Sequence, residues 1–353
     1  MEPQVSVLLP VHNAEAYLPE AVESILGQSL TDLELVCIDD GSTDRSPELL
    51  QSYAAQDGRV RVIRSEHAGL ITALNKGLKI ACAPLVARMD ADDISAPDRL
   101  EKQCRRFELD RELWVLGTAE ERIDAAGRSR GRSPVVTGCD AVASALRETC
   151  VICHPSVMMR REPILALGGY RAAYKHAEDY DLWLRVSEHA KLDNLDFVGL
   201  RYRKHDAGIS QRCSPRQRLS TALAQATHAI RRQGLPDPTD GMAAEPDLWT
   251  CRVLDELVPA HVEFFRTLAI AFGASEAFVG ADELELRLKS QCSDLVKQNR
   301  WLFMAALVQI IKRRPFIDPL TIRLAMMSLR MNPGRFAKLL FAWNETKPHL
   351  VWD

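Results

Sequence analysis

The chain has 353 residues, 46% of them hydrophobic, and a formal net charge of −3. This length leaves room for one large domain and a smaller one. The nearly balanced charge gives no indication of a nucleic-acid partner, and we expect none. Nine cysteines, an odd number without an apparent secretory leader, are typical of free thiols in a reducing cytosol. We therefore expect a cytoplasmic protein.

The first elements predict an α/β fold. The apolar run at residues 5–10 predicts a strand, residues 16–26 have helical spacing, and residues 33–38 predict a second strand. Strand, helix and strand in this order predict a βαβ unit. Parallel sheets bind ligands outside the carboxyl ends of their strands, so the residues that follow these strands are candidates for a binding site.

His12 and Asp40 follow the two predicted strands and should lie at the same rim of the sheet. The ring of His12 can stack on a nucleobase, and the carboxylate of Asp40 can accept a base N–H. The alternative is that Asp39 and Asp40 are turn residues and that Asp44 or Ser46 caps the next helix. Both interpretations can hold together, because one carboxylate is enough to bind the nucleobase.

A cluster of acidic residues forms the second candidate site. Asp90, Asp92 and Asp93 follow the strand-like run at residues 83–87. Carboxylates at the end of a buried strand repel one another and lose hydration. A bound divalent cation offsets both unfavourable energies, because it neutralises the charge and coordinates the oxygens. An Asp-x-Asp sequence after a strand is a usual way to hold Mg²⁺ or Mn²⁺ against a diphosphate. The alternative is an acidic turn that caps a helix beginning near Pro97.

Two further motifs lie downstream. Glu178 and Asp179 open a predicted amphipathic helix, where the helix dipole stabilises an anion. Asp179 is a candidate general base if burial raises its pKa, and a helix cap otherwise. His205 follows a strand-like run that contains Arg201 and Arg203, so it is a candidate metal ligand or a structural histidine.

These motifs together resemble the family-2 glycosyltransferases, inverting nucleotide-sugar enzymes of the kind that build bacterial cell-surface polysaccharides. The resemblance covers roughly residues 3–212 in family order. The matching strings are VSVLLPVHNAEAYLPEAVESILGQS, LVCIDDGSTD, ARMDADDISAPDRLEKQ, HPSVMMRR, LGGYR, AEDYDLWLR and RYRKHDAGIS.

The resemblance implies a GT-A fold, a nucleotide-sugar-binding mixed sheet flanked by helices. It implies that Asp179 is the catalytic base and that Glu178 orients this base or touches the acceptor. Asp92 and His205 would bind the metal, and Asp90 would join them or contact the ribose or a metal-bound water. The donor-binding residues would be Pro10, His12, Asn13, Asp40, Arg88, Asp90 and Ala91.

The resemblance also implies Mn²⁺ or Mg²⁺ as cofactor, a nucleotide-sugar donor, most commonly a UDP-sugar, and a glycan or lipid-linked acceptor. The expected enzyme is a hexosyl- or N-acetylhexosaminyl-transferase. A nucleotidyltransferase is the rival enzyme class, but it usually has a Gly- and Lys-containing loop where this chain reads VHNAEAY. A catalytically inactive binding module is the non-enzymatic alternative, and the intact Asp92, Asp179 and His205 argue against it.

The chain changes character after the glycosyltransferase-like part. We predict a domain at residues 1–212 and a mainly helical region at 213–353, with a linker at about 234–247. Residues 297–338 contain nine basic residues and one acidic residue, a local charge of +8, against −11 for the remainder. Apolar residues interrupt these cations in runs shorter than the ~18 residues of a spanning helix. The segment therefore suits either docking on the inner face of an anionic membrane, as a peripheral protein, or packing within a homodimer or on the catalytic domain.

Overall fold

The computed structural model describes residues 2–205, 215–248, 250–263 and 266. The chain divides into two compact units, the first comprising Met1–Cys213 and Thr227–Glu245, and the second Ser214–Ala226 and Pro246–Asp353. The predicted domain boundary at residue 212 stays a prediction. The basic segment at residues 297–338 lies outside the described residues. Within the described ranges, no helix is both long and apolar enough to span a bilayer.

The first part of the chain alternates strands and helices, as the βαβ pattern predicts. Its elements are β1 (Val5–Val11), α1 (Leu18–Leu26), β2 (Leu33–Asp40), α2 (Ser46–Gln56), β3 (Val60–Ser65), α3 (Leu70–Ile80) and β4 (Leu85–Arg88). Helix α1 begins two residues later than predicted, with Pro19 in its first turn. Proline is tolerated there because the backbone N–H groups of the first turn form no hydrogen bond within the helix.

The second part adds shorter strands. Its elements are β5 (Ile94–Ser95), α4 (Arg99–Leu109), β6 (Leu113–Ile123), β7 (Ser129–Arg132), α5 (Cys139–Leu146), a 3₁₀ turn (His154–Ser156), β8 (Met158–Arg160), α6 (Arg161–Ala166), a 3₁₀ turn (Ala172–Tyr174), α7 (Glu178–Val186) and β9 (Lys191–Arg203). Two helices follow, α8 (Pro215–Arg231) and α9 (Arg252–Leu257).

The strands form one mixed sheet. Its order is β3-β2-β1-β4-β8-β6-β9-β5, and β7 pairs with the side of β6. Strands β1 to β4 run parallel, whereas β8 is antiparallel to both β4 and β6. The carboxyl ends of β1, β2 and β4 therefore open at one rim, which is where the predicted donor-binding residues begin.

Both faces of the central sheet are covered by helices. Alternate residues of β1, such as Val7 and Leu9, pack with buried residues of α1 and α4. Leu8 faces the other way, and a Cβ on Gly77 of α3 would lie 3.0 Å from its methyl groups. The glycine therefore lets α3 approach the strand closely. This two-sided burial explains why the central strands read as continuous apolar runs.

The central part of the segment predicted as a linker is held in the first unit by buried charges, and the linker bounds stay a prediction. Asp237 has a side chain only 3% exposed, and it accepts hydrogen bonds from Arg171 (2.8 Å) and Arg231 (2.6 Å). Its other oxygen accepts from the N–H and hydroxyl of Thr239 at 2.9 and 2.6 Å. The Gly and Pro content indicated a turn, whereas the partner Arg171, 66 positions away in the chain, had no local signal.

These partners predict an acid-sensitive contribution to stability. Burial by itself raises the pKa of Asp237, but hydrogen bonds from Thr239 and Arg171 outweigh it and hold the pKa well below its ordinary value. A lowered folded-state pKa stabilises the fold above the unfolded pKa of about 3.9 and loses this effect as the pH falls. We expect Asp237→Asn to lower the free energy of unfolding by about 1–3 kcal/mol at pH 7.

Urea unfolding at pH 7, 5 and 3.5 measures this effect. The difference in free energy of unfolding between Asp237→Asn and the unmodified protein should become smaller below about pH 4. Asp240→Asn is the matched control, because Asp240 is 77% exposed and lies 3.4 Å from the same Arg171. A difference that stays constant with pH would contradict the charge argument and point to packing.

Candidate active site

The ends of β1 and β2 form one wall of the site. The Nδ1–H of His12 donates to the backbone oxygen of Asp40 at 2.8 Å. Asn13 has a left-handed φ of 51°, and its side-chain oxygen accepts the Thr43 N–H at 2.8 Å. Pro10 pairs in register with Ile38 on β2. The structure thus brings Pro10, His12, Asn13 and Asp40 to one rim, as the sequence predicts, while their role in binding a donor stays a prediction.

The carboxylate of Asp40 is already bound to the loop after β3. Its oxygens accept the backbone N–H groups of Ala68 and Gly69 at 2.8 and 2.9 Å, and His67 lies 3.0 Å away. The ring of His67 stacks on His12, with the centroids 4.2 Å apart. A base that stacks on His12 would use its other face or displace His67, which is 61% exposed. Sequence reasoning missed His67, since no motif marks it.

The acidic loop after β4 is organised by Arg88. This arginine is 3% exposed, and both its terminal nitrogens donate to Asp90, at 2.7 and 2.5 Å. Burial raises the pKa of Asp90 to about 6, although the Arg88 charge opposes the shift. Because both oxygens of Asp90 are bound by Arg88, Asp90 fits a contact to a ribose or a bound water better than a place as principal metal ligand. Ala91, next in the loop, is buried.

Asp92 and His205 meet across the loop. The Nε2 atom of His205 lies 2.8 Å from Asp92 Oδ2, and the two side chains are 16% and 30% exposed. Arg203, two residues before His205, donates from Nε to the backbone oxygen of Asp92 at 2.8 Å. The pair therefore joins the end of β9 to the acidic loop and remains open to an incoming ligand.

Asp93 is the buried member of the acidic cluster. One of its oxygens accepts the Arg203 N–H at 2.7 Å, and the other is buried with no hydrogen-bond partner in the described part of the chain. Burial and the charges of Asp90 and Asp92 raise its pKa well above the ordinary value.

The cluster has the donor set of a divalent-cation site. Oxygens of Asp90, Asp92 and Asp93 lie within 4.8 Å of one another. Oxygen ligands suit hard cations such as Mg²⁺ and Mn²⁺. The unpartnered oxygen of Asp93 and the accessible Asp92–His205 pair are the observations that fit a metal.

Asp179 and Glu178 lie in the first turn of α7. Asp179 is the one residue of this helix that is not buried, with a side chain 22% exposed. Its Oδ1 accepts the N–H of Tyr180 at 2.7 Å. Burial raises the pKa of Asp179 above its ordinary value, and burial together with the Asp179 charge raises that of Glu178 to about 7. Asp179 therefore combines solvent access with a raised basicity.

Arg88 acts electrostatically on both the acidic loop after β4 and the carboxylates in the first turn of α7. Its charge lowers the pKa values of Asp90, Glu178 and Asp179 against the larger effect of burial. The charge of Asp179 in turn raises the pKa of Asp90. The acidic loop and the first turn of α7 thus line one site around the buried guanidinium of Arg88.

A buried polar network below the acidic loop was also missed. Arg99 is fully buried and donates to the backbone oxygens of Arg88 (2.7 Å) and Val157 (3.2 Å). Gln103, one turn later, accepts from Arg99 and donates to the oxygens of Leu116 and Ser156, at 2.8 and 2.9 Å. An arginine in an amphipathic helix usually indicates a surface position, so no local pattern indicated this role. The network fixes the backbone from which Asp90 and Asp92 project.

Solved structures share this architecture. The chain matches Staphylococcus aureus TarS 1-349 in complex with UDP-GlcNAc at a TM-score of 0.54 and 17% identity, covering 98% of this chain and 92% of that one. It also matches the mannosyltransferase PcManGT from Pyrobaculum calidifontis, in complex with GDP-Man and Mn²⁺, at a TM-score of 0.50 and 18% identity, covering 93% and 88%. These likenesses confirm the predicted GT-A architecture.

The sequence comparisons identify the family. Residues 6–168 match the model of glycosyl transferase family 2. EpsE of Bacillus subtilis, named as a glycosyltransferase, is 37% identical over 53% of this chain and 67% of its own length. The O-antigen biosynthesis glycosyltransferase WbnJ of Escherichia coli is 32% identical over 57% of this chain and 80% of its own. The chain therefore belongs to glycosyl transferase family 2, as its motifs predicted, and is a glycosyltransferase.

Proposed function

We propose that this glycosyltransferase moves a sugar from a nucleotide-sugar donor, with a UDP-sugar as first choice, to a hydroxyl of a glycan or lipid-linked acceptor. The reaction would invert the anomeric centre, require Mn²⁺ or Mg²⁺, and serve the synthesis of a surface polysaccharide. The observation that carries this proposal is that Arg88 acts electrostatically on both Asp90 of the acidic loop, which also holds the Asp92–His205 pair, and the accessible Asp179.

Each group has a distinct task in a single displacement. Asp92 and His205 would hold the cation, which when bound neutralises charge on the leaving nucleoside diphosphate. Asp179 would accept the proton of the acceptor hydroxyl as its oxygen attacks the anomeric carbon. Arg88 keeps Asp90 ionised beside the donor, and His12 and Asp40 would bind the base. One base suffices, because departure of the diphosphate needs no protonated acid.

The two alternatives are less well supported. A nucleotidyltransferase is disfavoured by membership of a glycosyltransferase family. An inactive binding module needs no general base, whereas Asp179 is accessible and has a raised pKa, as a general base requires. Turnover of a donor distinguishes the module from the enzyme.

A donor screen tests the proposal. Thermal unfolding with Mn²⁺ and UDP, GDP or TDP should show the largest rise in melting temperature for the cognate nucleotide, because a ligand that binds only the native state stabilises it by mass action. The donors of that nucleotide are then assayed for metal-dependent nucleotide release. A protein that no nucleotide stabilises and that releases none from any donor would contradict the proposal.

We also propose a peripheral location on the inner face of the cell membrane, supported by the +8 charge of residues 297–338. Each Lys or Arg near an anionic surface contributes about 1 kcal/mol, which salt screens. The protein should therefore float with vesicles containing anionic lipid and dissociate at high salt. Changing Lys312, Arg313 and Arg314 together to Glu should abolish flotation. A protein that stays off anionic vesicles and forms a stable dimer would favour the packing alternative.

A further inference from the structure

Two residues beside Asp179, His154 with a side chain 10% exposed and the buried Tyr170, have no task in the chemistry described above. His154 lies in the 3₁₀ turn before β8, and its Nδ1 is 4.0 Å from Asp179 Oδ2. On the other side of the ring, Nε2 is 2.9 Å from the hydroxyl of Tyr170. Trp183, one turn along α7 from Asp179, meets the His154 ring edge-on with the centroids 6.0 Å apart. The imidazole is thus enclosed between a phenol and the carboxylate.

The carboxylate selects the tautomer of this imidazole. If Nε2 carried the proton, the bare lone pair of Nδ1 would face the negative oxygen of Asp179, which is repulsive. If the Tyr170 hydroxyl donates to Nε2, the proton lies on Nδ1 and points toward Asp179. Burial lowers the pKa of His154 well below its ordinary value and raises that of Tyr170, so both stay neutral and keep this arrangement.

The position of Tyr170 is itself rigid. The Asn75 side chain accepts the Tyr170 N–H at 2.9 Å and donates to its backbone oxygen at 2.7 Å. The preceding Gly169 has a φ of +67°, and a Cβ there would lie 2.4 Å from the Asn75 side-chain oxygen. Arg185 adds a hydrogen bond to the Gly169 oxygen at 2.6 Å. The hydroxyl of Tyr170 therefore approaches His154 from a fixed backbone.

We propose that His154 is a positioning residue for Asp179 and that Tyr170 acts through His154 by fixing its tautomer. The proposal rests on the proposed function, in which Asp179 is the base. Asp179 Oδ1 is held by the Tyr180 N–H at 2.7 Å, and the Nδ1–H of His154 faces Oδ2. The carboxylate plane is then defined at both oxygens, and each oxygen keeps a lone pair for the acceptor proton. The distance of 4.0 Å to Nδ1 is longer than a hydrogen bond, and catalytic hydrogen bonds are often this long before substrate binds.

Two substitutions of nearly equal shape separate positioning from packing. His154→Leu removes the donor, whereas His154→Asn keeps an N–H close to the position of Nδ1. The probes are UDP-GlcNAc and GDP-mannose with Mn²⁺, followed by nucleotide release, and UDP or GDP binding measured by calorimetry. We expect His154→Leu to lower kcat at least about tenfold, part of the ~10²–10⁴-fold that a positioned base contributes. His154→Asn should recover most of this loss, and nucleotide affinity should be unchanged in both.

A double-mutant cycle tests the role of Tyr170. Tyr170→Phe should lower kcat in the unmodified background and have no further effect in the His154→Leu background, because Tyr170 acts through the histidine. The exposed His189, changed to Asn, is the control and should not alter kcat.

The possible results distinguish failure of the inference about His154 from failure of the proposed glycosyl transfer. If the unmodified protein releases nucleotide but His154→Leu is equally active, the inference alone is overturned. It is also overturned if His154→Asn is as slow as His154→Leu, or if nucleotide affinity falls in parallel with the rate, since the histidine is then structural. If the unmodified protein releases nucleotide from no donor, the proposed function fails and the inference falls with it.

Discussion

Replacing Asp92 by Asn should remove metal-dependent transfer while leaving the fold intact. The change neutralises the oxygen that lies 2.8 Å from His205 and takes away the most accessible carboxylate of the acidic cluster. Metal stabilisation of a leaving group is worth several kcal/mol, and about 1.4 kcal/mol is tenfold in rate, so we expect a loss of about 10²-fold or more. Nucleotide release is measured while Mn²⁺ is titrated.

The matched control for this change is Asp98→Asn. Asp98 lies six positions downstream, is 45% exposed, and forms an ion pair with Lys102 one helical turn away. It should retain activity and metal dependence. Turnover by Asp92→Asn close to that of the unmodified protein, at the same Mn²⁺ concentration, would reject Asp92 as a metal ligand.

The residues at the carboxyl ends of the parallel strands could be predicted from sequence because the patterns that mark them are local. An apolar run followed by polar residues marks the end of each parallel strand, and this pattern correctly located His12, Asp40 and the acidic loop after β4. The start of α7 at Glu178 was likewise predicted from spacing. Strand ends in a parallel sheet share one edge, so local patterns gave the outline of the site.

The contacts that connect the site had no local signal. Asp92 and His205 meet although they are far apart in the chain, and only the resemblance to a family linked them in advance. Arg99 was missed because arginine usually indicates a surface, yet here its guanidinium supports the backbone of Arg88. His154 lies in the motif HPSVMMRR, but its relation to Asp179 depends on how β8 and α7 pack. Such partnerships are set by tertiary packing, which a single sequence does not display.

Replacing Asp179 by Asn should lower transfer by at least ~10²-fold, the lower limit for general-base catalysis, without weakening donor binding. The amide has nearly the shape of the carboxylate and can still accept the Tyr180 N–H, which bonds to Oδ1 at 2.7 Å, so the first turn of α7 should persist. What is lost is the proton acceptor. Its raised pKa, due chiefly to burial, makes it a stronger base than an exposed aspartate.

Single-turnover transfer and calorimetric donor binding measure the two expectations for Asp179→Asn separately. A base that acts on the acceptor hydroxyl changes the rate of the chemical step and leaves the donor dissociation constant unchanged. Asp196→Asn is the control, because Asp196 is 68% exposed and pairs with Arg132 on the surface. If donor affinity falls in proportion to the rate, Asp179 binds the donor, and the base must be sought at Glu178, whose pKa of about 7 makes it the next candidate beside the same Arg88 charge.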